Sequence, residues 1–277
     1  MTASEVVETA RAYYDSADAD TFYETVWGGE DIHIGLYQSP QESIADASRR
    51  TVQRMIVRVR NGPPSRRVLD LGSGYCGAAR QIARELDAKV VAVNLSEVEN
   101  RRARVLNDEA GLGARIEVVD GSFEALPQAA DTFDLVWSQD AMLHSGARAK
   151  VLSEVARVLA PGGHFVFTDP MQADDCPAGV LQPILDRIHL RDLVSPAFYR
   201  RCAREVGLEE VGFEDHTDQL VRHYSRVLEQ TRARFDELSA RIDPGYLDRM
   251  QTGLGHWIEG GRAGHLTWGI FHFRHAG

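Results

Sequence analysis

Apolar positions along the chain follow two rhythms. Short apolar runs suited to buried strands fall at 68–71, 89–93, 115–119, 133–138 and 164–168, and between them lie stretches where apolar residues recur every three or four positions. In residues 41–59, Ile44, Val52, Met55, Ile56 and Val59 share one helical face before the stop Asn61-Gly62-Pro63-Pro64. In residues 147–159, Val151, Leu152, Val155, Val158 and Leu159 form one stripe before Pro161-Gly162-Gly163, which marks it as core. Ser96-Glu97-Val98-Glu99 reads as a capping box opening a helix that ends at Gly111. Strand and helix therefore alternate from Arg66 onward, the pattern of a parallel sheet with helices on both faces. Two late strands are expected at 209–214 and 266–273, with a largely helical insertion between them.

The fold class that follows is α/β: a seven-stranded, doubly wound, Rossmann-like sheet with an N-terminal helical lid and a helical insertion before the last strand. The expected division is 1–60 lid, 61–216 with 264–277 core, and 217–263 insertion over an acceptor site. Within the lid, residues 3–15 read as a helix ending in Tyr13-Tyr14-Asp15, and 21–27 as a short apolar stretch. Residues 27–37, WGGEDIHIGLY, form an aromatic, glycine-broken loop of the kind that closes over a ligand and excludes water.

The stretch 66–80, RRVLDLGSGYCGAAR, carries the first chemistry. Val68-Leu69-Asp70-Leu71 is a strand, Gly72-Ser73-Gly74-Tyr75-Cys76-Gly77 a tight turn, and 78–86 a helix. Glycines there let backbone N–H groups approach a nucleotide, and the spacing also satisfies the dinucleotide pattern G-x-G-x-x-G. Asp70 discriminates between ligands: a carboxylate at the strand tip repels a pyrophosphate and attracts the ammonium and sulfonium of S-adenosylmethionine. The second strand ends in Asn94, where a NAD enzyme would be expected to carry an acid.

Composition narrows the partners. The 277 residues are 43% hydrophobic and 26% charged, an ordinary globular balance, and no apolar run approaches the roughly 20 residues of a membrane span. A net charge of −10 and the lack of a basic, aromatic-interleaved face speak against nucleic acid. Cys76, Cys176 and Cys202 neither pair completely nor match a zinc spacing, no metal is expected, and MTASEVVETARAYY has no signal pattern, so a cytoplasmic location is expected. A homo-oligomer stays open.

Leu69-Asp70-Leu71-Gly72-Ser73-Gly74, Phe133-Asp134-Leu135-Val136-Trp137 and Arg157-Val158-Leu159-Ala160-Pro161-Gly162-Gly163 together resemble the class I S-adenosylmethionine-dependent methyltransferases, over about residues 60–170. WGGEDIHIG at 27–35, WSQDAMLHS at 137–145, TDPM at 168–171, QPILDRI at 182–188 and HWIEGGRAG at 256–264 look more specifically like the sarcosine/dimethylglycine N-methyltransferases of glycine betaine synthesis. The resemblance implies a donor site of Asp70, Gly72, Gly74, Asn94, Leu95, Ser122, Phe123 and Gln139, with Ser122 and Phe123 at the adenine. From the similar phosphoethanolamine methyltransferases it implies catalytic roles for Asp140, His144 and Tyr23.

Methyl transfer to nitrogen requires a free lone pair aimed at the donor carbon, about 3 Å away. His144 is the natural group to free it, since imidazole titrates near working pH, and Asp140 four residues earlier is placed to orient the ring. Tyr23 completes a hydrogen-bonded latch. A carboxylate on the acceptor asks for arginine, and Arg187 is the choice; a quaternary ammonium product asks for aromatic faces, with Tyr224, Trp257 and Trp268 the candidates. Methylation of a phosphobase, lipid or ring carbon, a donor-binding module without turnover, and a NAD(P)-dependent oxidoreductase are the alternatives.

Overall fold

The computed structural model describes residues 11, 15–28, 30–60, 62 and 64–276. Most of the helix expected over 3–15, with its Tyr13-Tyr14 pair, lies outside these residues, as do Asn61 and Pro63 of the expected stop. The chain runs through α1 (Ala17–Phe22), a π-helical turn (Tyr23–Trp27), α2 (Ile44–Arg60), β1 (Arg67–Leu71), α3 (Gly77–Glu85), β2 (Lys89–Asn94), α4 (Glu97–Glu109), β3 (Ile116–Asp120), β4 (Phe133–Gln139), a 3-10 turn (Met142–His144) and α5 (Arg148–Val158). There follow β5 (Leu159–Thr168), β6 (Met171–Gln172), α6 (Gln182–Arg187), α7 (Pro196–Glu205), β7 (Leu208–Asp215), α8 (Thr217–Ala233), α9 (Phe235–Ser239), α10 (Pro244–Arg262), β8 (Leu266–Thr267) and β9 (Gly269–His275).

Seven strands form one sheet in the order β3-β2-β1-β4-β5-β9-β7, and β6 pairs with β8 in a separate two-stranded ribbon. β1 to β5 are parallel, whereas β9 runs antiparallel to both neighbours, so the expected seven-stranded α/β sheet is present with a reversed strand near one edge. The order reverses at β1 and β4, where crossovers leave to opposite sides and open a crevice beyond the strand ends. Buried residues fill both faces: Leu69, Leu71, Val136, Phe165 and Phe167 pack under α5 and α7, and Val68, Val90, Leu135 and Val166 under α2 and α3.

The pattern missed three features. α6 and α7 were not expected, although Ser195-Pro196 supplies an ordinary start with proline in the first turn. The glycine stop after α5 is part of β5, bulging between the Phe133–Leu159 and Leu135–His164 pairings. The expected strand over 266–273 is cut at Trp268 into β8 and β9. The segment 217–260 is helical as expected, and α8 and α10 pack side by side against the loop after the π-helical turn.

Candidate active site

Two chambers meet above the crevice. The first lies over the β1–α3 turn, is lined by Asp70, Gly72, Gly74, Asn94, Leu95, Phe123 and Gln139, and spans about 800 Å³, part of it open to solvent. Gly72 takes φ +74°, and a Cβ there would stand 2.3 Å from the Cβ of Ala141, so only glycine fits. Gly77 serves a different purpose from the one its spacing suggests. A Cβ at that position would meet Asp31 Oδ1 at 2.2 Å and the Glu30 carbonyl at 2.4 Å, so this glycine seats the N-terminal loop.

Asp70 is buried, and its Oδ2 has no hydrogen-bond partner among the described residues. Burial pushes its carboxyl up to about 7, with the His33 charge opposing the rise and Asp31 adding to it. A buried carboxylate oxygen facing a chamber and lacking a donor suits a cationic ligand, which is the fit expected of a sulfonium and ammonium donor. Asn94 donates from Nδ2 to Glu99 Oε2 at 2.8 Å. Ser96 caps α4, its Oγ accepting the Glu99 N–H at 3.1 Å, and burial pushes the Glu99 carboxyl up to about 7. An acid absent from the end of β2 thus stands on the first chamber's wall at the start of α4. Gln139 accepts from the Trp137 indole at 2.9 Å, and its own Nε2 has no hydrogen-bond partner among the described residues.

Ser122 is placed otherwise than expected. It does not line the chamber, and its Oγ accepts the N–H of Glu124 at 3.2 Å, stabilising the turn that presents Phe123.

The second chamber, about 760 Å³, is lined by Tyr23 and Trp27 of the π-helical turn, Arg187 of α6, Tyr224 of α8 and Trp257 of α10. Tyr224 and Trp257 stack with centroids 5.3 Å apart, and Tyr23 and Trp27 meet edge to face at 5.1 Å. The Arg187 side chain runs along α10, where a Cβ on Gly253 would meet its Cγ at 3.0 Å. Trp27 is the aromatic residue that the sequence reading did not single out.

Trp268 lines neither chamber. It is fully buried, and its indole Nε1 donates to Asp140 Oδ1 at 2.8 Å, so it braces an acid where an aromatic cage wall was expected. Asp140 Oδ2 accepts the N–H of Ile34 at 2.7 Å, and the residue itself sits at φ +49° after β4. Both oxygens are therefore engaged by Ile34 and Trp268, and in place of the expected Asp140–His144 pairing Asp140 ties the N-terminal loop to the break between β8 and β9.

His144 faces both chambers. Its 3-10 turn is clamped from three sides. Leu143 N–H donates to Asp169 at 3.0 Å, Arg148 donates to the Leu143 carbonyl at 2.6 Å, and Ser145 donates to Glu124 at 2.6 Å. Burial, and then the nearby Arg148 charge, push the His144 imidazole down to about 4. The ring is neutral at working pH, which corrects the expectation that it titrates there.

His33, Ile32 and Asp140 complete the shared wall. The expected flexible segment is pinned. Gly35 N–H and Tyr37 Oη both reach His223 Nδ1, at 3.1 and 3.0 Å, Thr51 Oγ1 donates to the Ile34 carbonyl at 2.8 Å, and Ser48 Oγ to the His33 carbonyl at 2.9 Å. Residues 30–37 are a fixed partition between the chambers. The only sequence signal for His33 is a histidine between two isoleucines in a glycine-flanked loop.

A model described as "Methyltransferase domain" matches residues 69–167. The chain is 57% identical, over 98% of its length and 97% of the relative's, to the sarcosine/dimethylglycine N-methyltransferase of Halorhodospira halochloris. It is 56% identical to the dimethylglycine N-methyltransferase of Parasynechococcus marenigrum, over 97% of this chain and 96% of that one. A solved structure from Galdieria sulphuraria superposes with a TM-score of 0.90 at 44% identity, covering 95% of this chain and 99% of that one. Among the described residues no helix is long and apolar enough to cross a membrane. With an acid-lined donor chamber opening onto an aromatic one, and with these relatives across nearly its whole length, the chain belongs to the S-adenosylmethionine-dependent methyltransferases, within the sarcosine/dimethylglycine N-methyltransferase family.

Proposed function

We propose that this chain methylates the nitrogen of sarcosine and dimethylglycine, forming glycine betaine. The observation that carries the reading is the junction of the chambers across Asp140, His144, His33 and Ile32: one chamber offers unpartnered carboxylate, the other aromatic faces. S-adenosylmethionine, when bound, supplies an electrophilic methyl group already activated by its positive sulfur.

The chain's own contribution is position and charge. Asp70 and Gln139 face the donor's amino-acid end, Gly72 and Gly74 let the turn come close, and Asn94, Leu95 and Phe123 lie toward its nucleoside. Tyr23, Trp27, Tyr224 and Trp257 surround the methylated nitrogen, where each added methyl spreads positive charge that ring faces attract. Arg187 takes the acceptor's carboxylate at the far side of that chamber. A neutral His144 presents a lone pair to the N–H of the acceptor's ammonium, and the nitrogen lone pair freed when that proton leaves lies in line with the donor carbon. Held near 4, it orients this proton without keeping it.

The test supplies methyl-labelled donor with glycine, sarcosine, dimethylglycine or phosphoethanolamine in turn. Label in sarcosine and dimethylglycine products is expected; label in phosphoethanolamine alone, or in none of the amino acids, overturns the substrate assignment.

A further inference from the structure

Tyr75 stands in the middle of the glycine turn that borders the donor chamber, but its side chain turns away from that chamber. Gly72, Ser73, Gly74 and Gly77 line the chamber, whereas Tyr75 does not, and it is 1% exposed. Its hydroxyl leaves the turn and donates to Asp20 Oδ1 of α1 at 2.5 Å. Arg102 of α4 lies over the same ring, 5.2 Å from its centroid, and pairs with Glu24 at 2.6 Å and with Asp20 at 3.8 Å. At the start of α4, Ser96 Oγ donates to Asp15 at 2.7 Å. Asp15, Asp20 and Glu24 thus form an acidic edge along residues 15–27, and each meets a group of the donor side.

The opposite edge of the same segment builds the acceptor chamber. Phe22, Val26 and Trp27 pack in one buried cluster with Leu247, Met250 and Leu254 of α10, and Asp18 accepts the N–H of Asp243, the cap of that helix, at 3.2 Å. Tyr23 and Trp27 face the acceptor. Six residues of α-helix and five of π-helix are too few to be stable alone, so contacts on the two edges decide where the segment lies. Apolar packing is non-directional and allows it to slide, whereas a hydroxyl bonded to a carboxylate fixes both distance and direction.

We propose that Tyr75 is a positioning residue for the acceptor chamber: bonded to Asp20 and backed by Arg102, it sets where Tyr23 and Trp27 stand. The inference deepens the reading above and rests on its acceptor chamber. A residue of the donor turn therefore acts on the acceptor. Without the hydroxyl the segment shifts along α10 and its two rings no longer converge on the methylated nitrogen, while Gly72 and Gly74 keep their place at the donor.

The test uses full-length protein carrying 5-fluorotryptophan, with Tyr75→Phe, which removes the hydroxyl and keeps the ring, and with Asp20→Ala and Asp20→Asn on the other side of the bond. Trp27→Phe identifies the Trp27 signal among the four tryptophans. In Tyr75→Phe and Asp20→Ala that fluorine signal is expected to move, while those of Trp137 and Trp268, both fully buried, stay in place. Acceptor KM is expected to rise about tenfold, the scale of one hydrogen bond to a charged group, with kcat and donor affinity within about twofold of the unaltered protein. Tyr75→Phe and Asp20→Ala combined are expected to raise KM no further than either alone. Asp20→Asn keeps an acceptor oxygen and is expected to stay within about threefold of the unaltered protein. An unmoved Trp27 signal, an acceptor KM that does not rise, or a donor affinity that falls as far as the acceptor's overturns the proposal. Should Tyr75→Phe not fold, Asp20→Ala gives the same readings from a side chain that is 24% exposed. If the unaltered protein methylates none of the amino acids, the substrate reading fails, and the Trp27 signal still decides the positioning.

Discussion

The donor and acceptor chambers differ in how the chain builds them. Apart from the partition and Arg11, the donor-side wall comes from the ends of β1, β2, β3 and β4 and the segments that follow, each within a few residues of a strand that the sheet already positions. The acceptor chamber collects Tyr23, Arg187, Tyr224 and Trp257 from four segments far apart in sequence, brought together by the packing of helices. The donor side binds by charge and backbone approach, the acceptor side by ring faces, and the difference teaches that substitutions on the two sides should separate into two kinetic classes.

The strongest break is expected from Gly72→Ala. A left-handed residue with a Cβ costs about 1–3 kcal/mol in strain before the 2.3 Å contact with Ala141 is counted, so calorimetry should find donor affinity down by about 100-fold or more. Asp70→Asn keeps the shape and removes the charge. A charge-assisted contact contributes about 1.5–3 kcal/mol, predicting donor affinity about 10- to 100-fold weaker with acceptor KM nearly unchanged. Trp257→Leu or Tyr224→Leu should do the reverse. A lost cation–π face at about 1–2 kcal/mol raises acceptor KM by roughly 5- to 30-fold and leaves donor binding intact. Loss of donor binding from these aromatic changes would show that the chambers are not separable.

The pH dependence sharpens the contrast. The Asp70 carboxyl stands near 7 in the donor-free protein, and only its ionised form attracts a cation, so donor affinity should rise with pH through about 7 and then level. The same raised group binds its proton more tightly folded than unfolded. Its contribution therefore lowers stability as pH climbs from the ordinary carboxylate range toward 7, and the thermal shift produced by donor should widen over that interval. The smallest effect is expected from Ser122→Ala, less than about 2-fold in donor affinity, because its hydroxyl serves a local turn.

Legibility followed the same division. Asp70, Gly72 and Gly74 come together on one chamber wall because a strand tip and its turn are local, while Asn94, Phe123 and Gln139, implied by the family resemblance, line the same wall from neighbouring strand ends. Gly77 was readable as a glycine but not for its reason, since the Asp31 loop that demands it lies some forty residues upstream. Trp268 and Asp140 were picked for the wrong contacts: pairing across 128 positions depends on β9 returning beside β5. His144 was found through its block of neighbours, but burial and Arg148 decide its protonation, and neither is visible in a motif.

By itself the sequence determined the alternation of strand and helix, the seven-stranded sheet and the acid beside the glycine turn, because periodicity and short-range steric need are written along the chain. Tertiary structure alone decided that residues 31–37 become a largely buried partition, that His33 lies beside the buried Asp31, and that four aromatic residues face one space. Proton affinity and ring packing depend on what is excluded from water and on what stands across the gap, and those are properties of the folded neighbourhood.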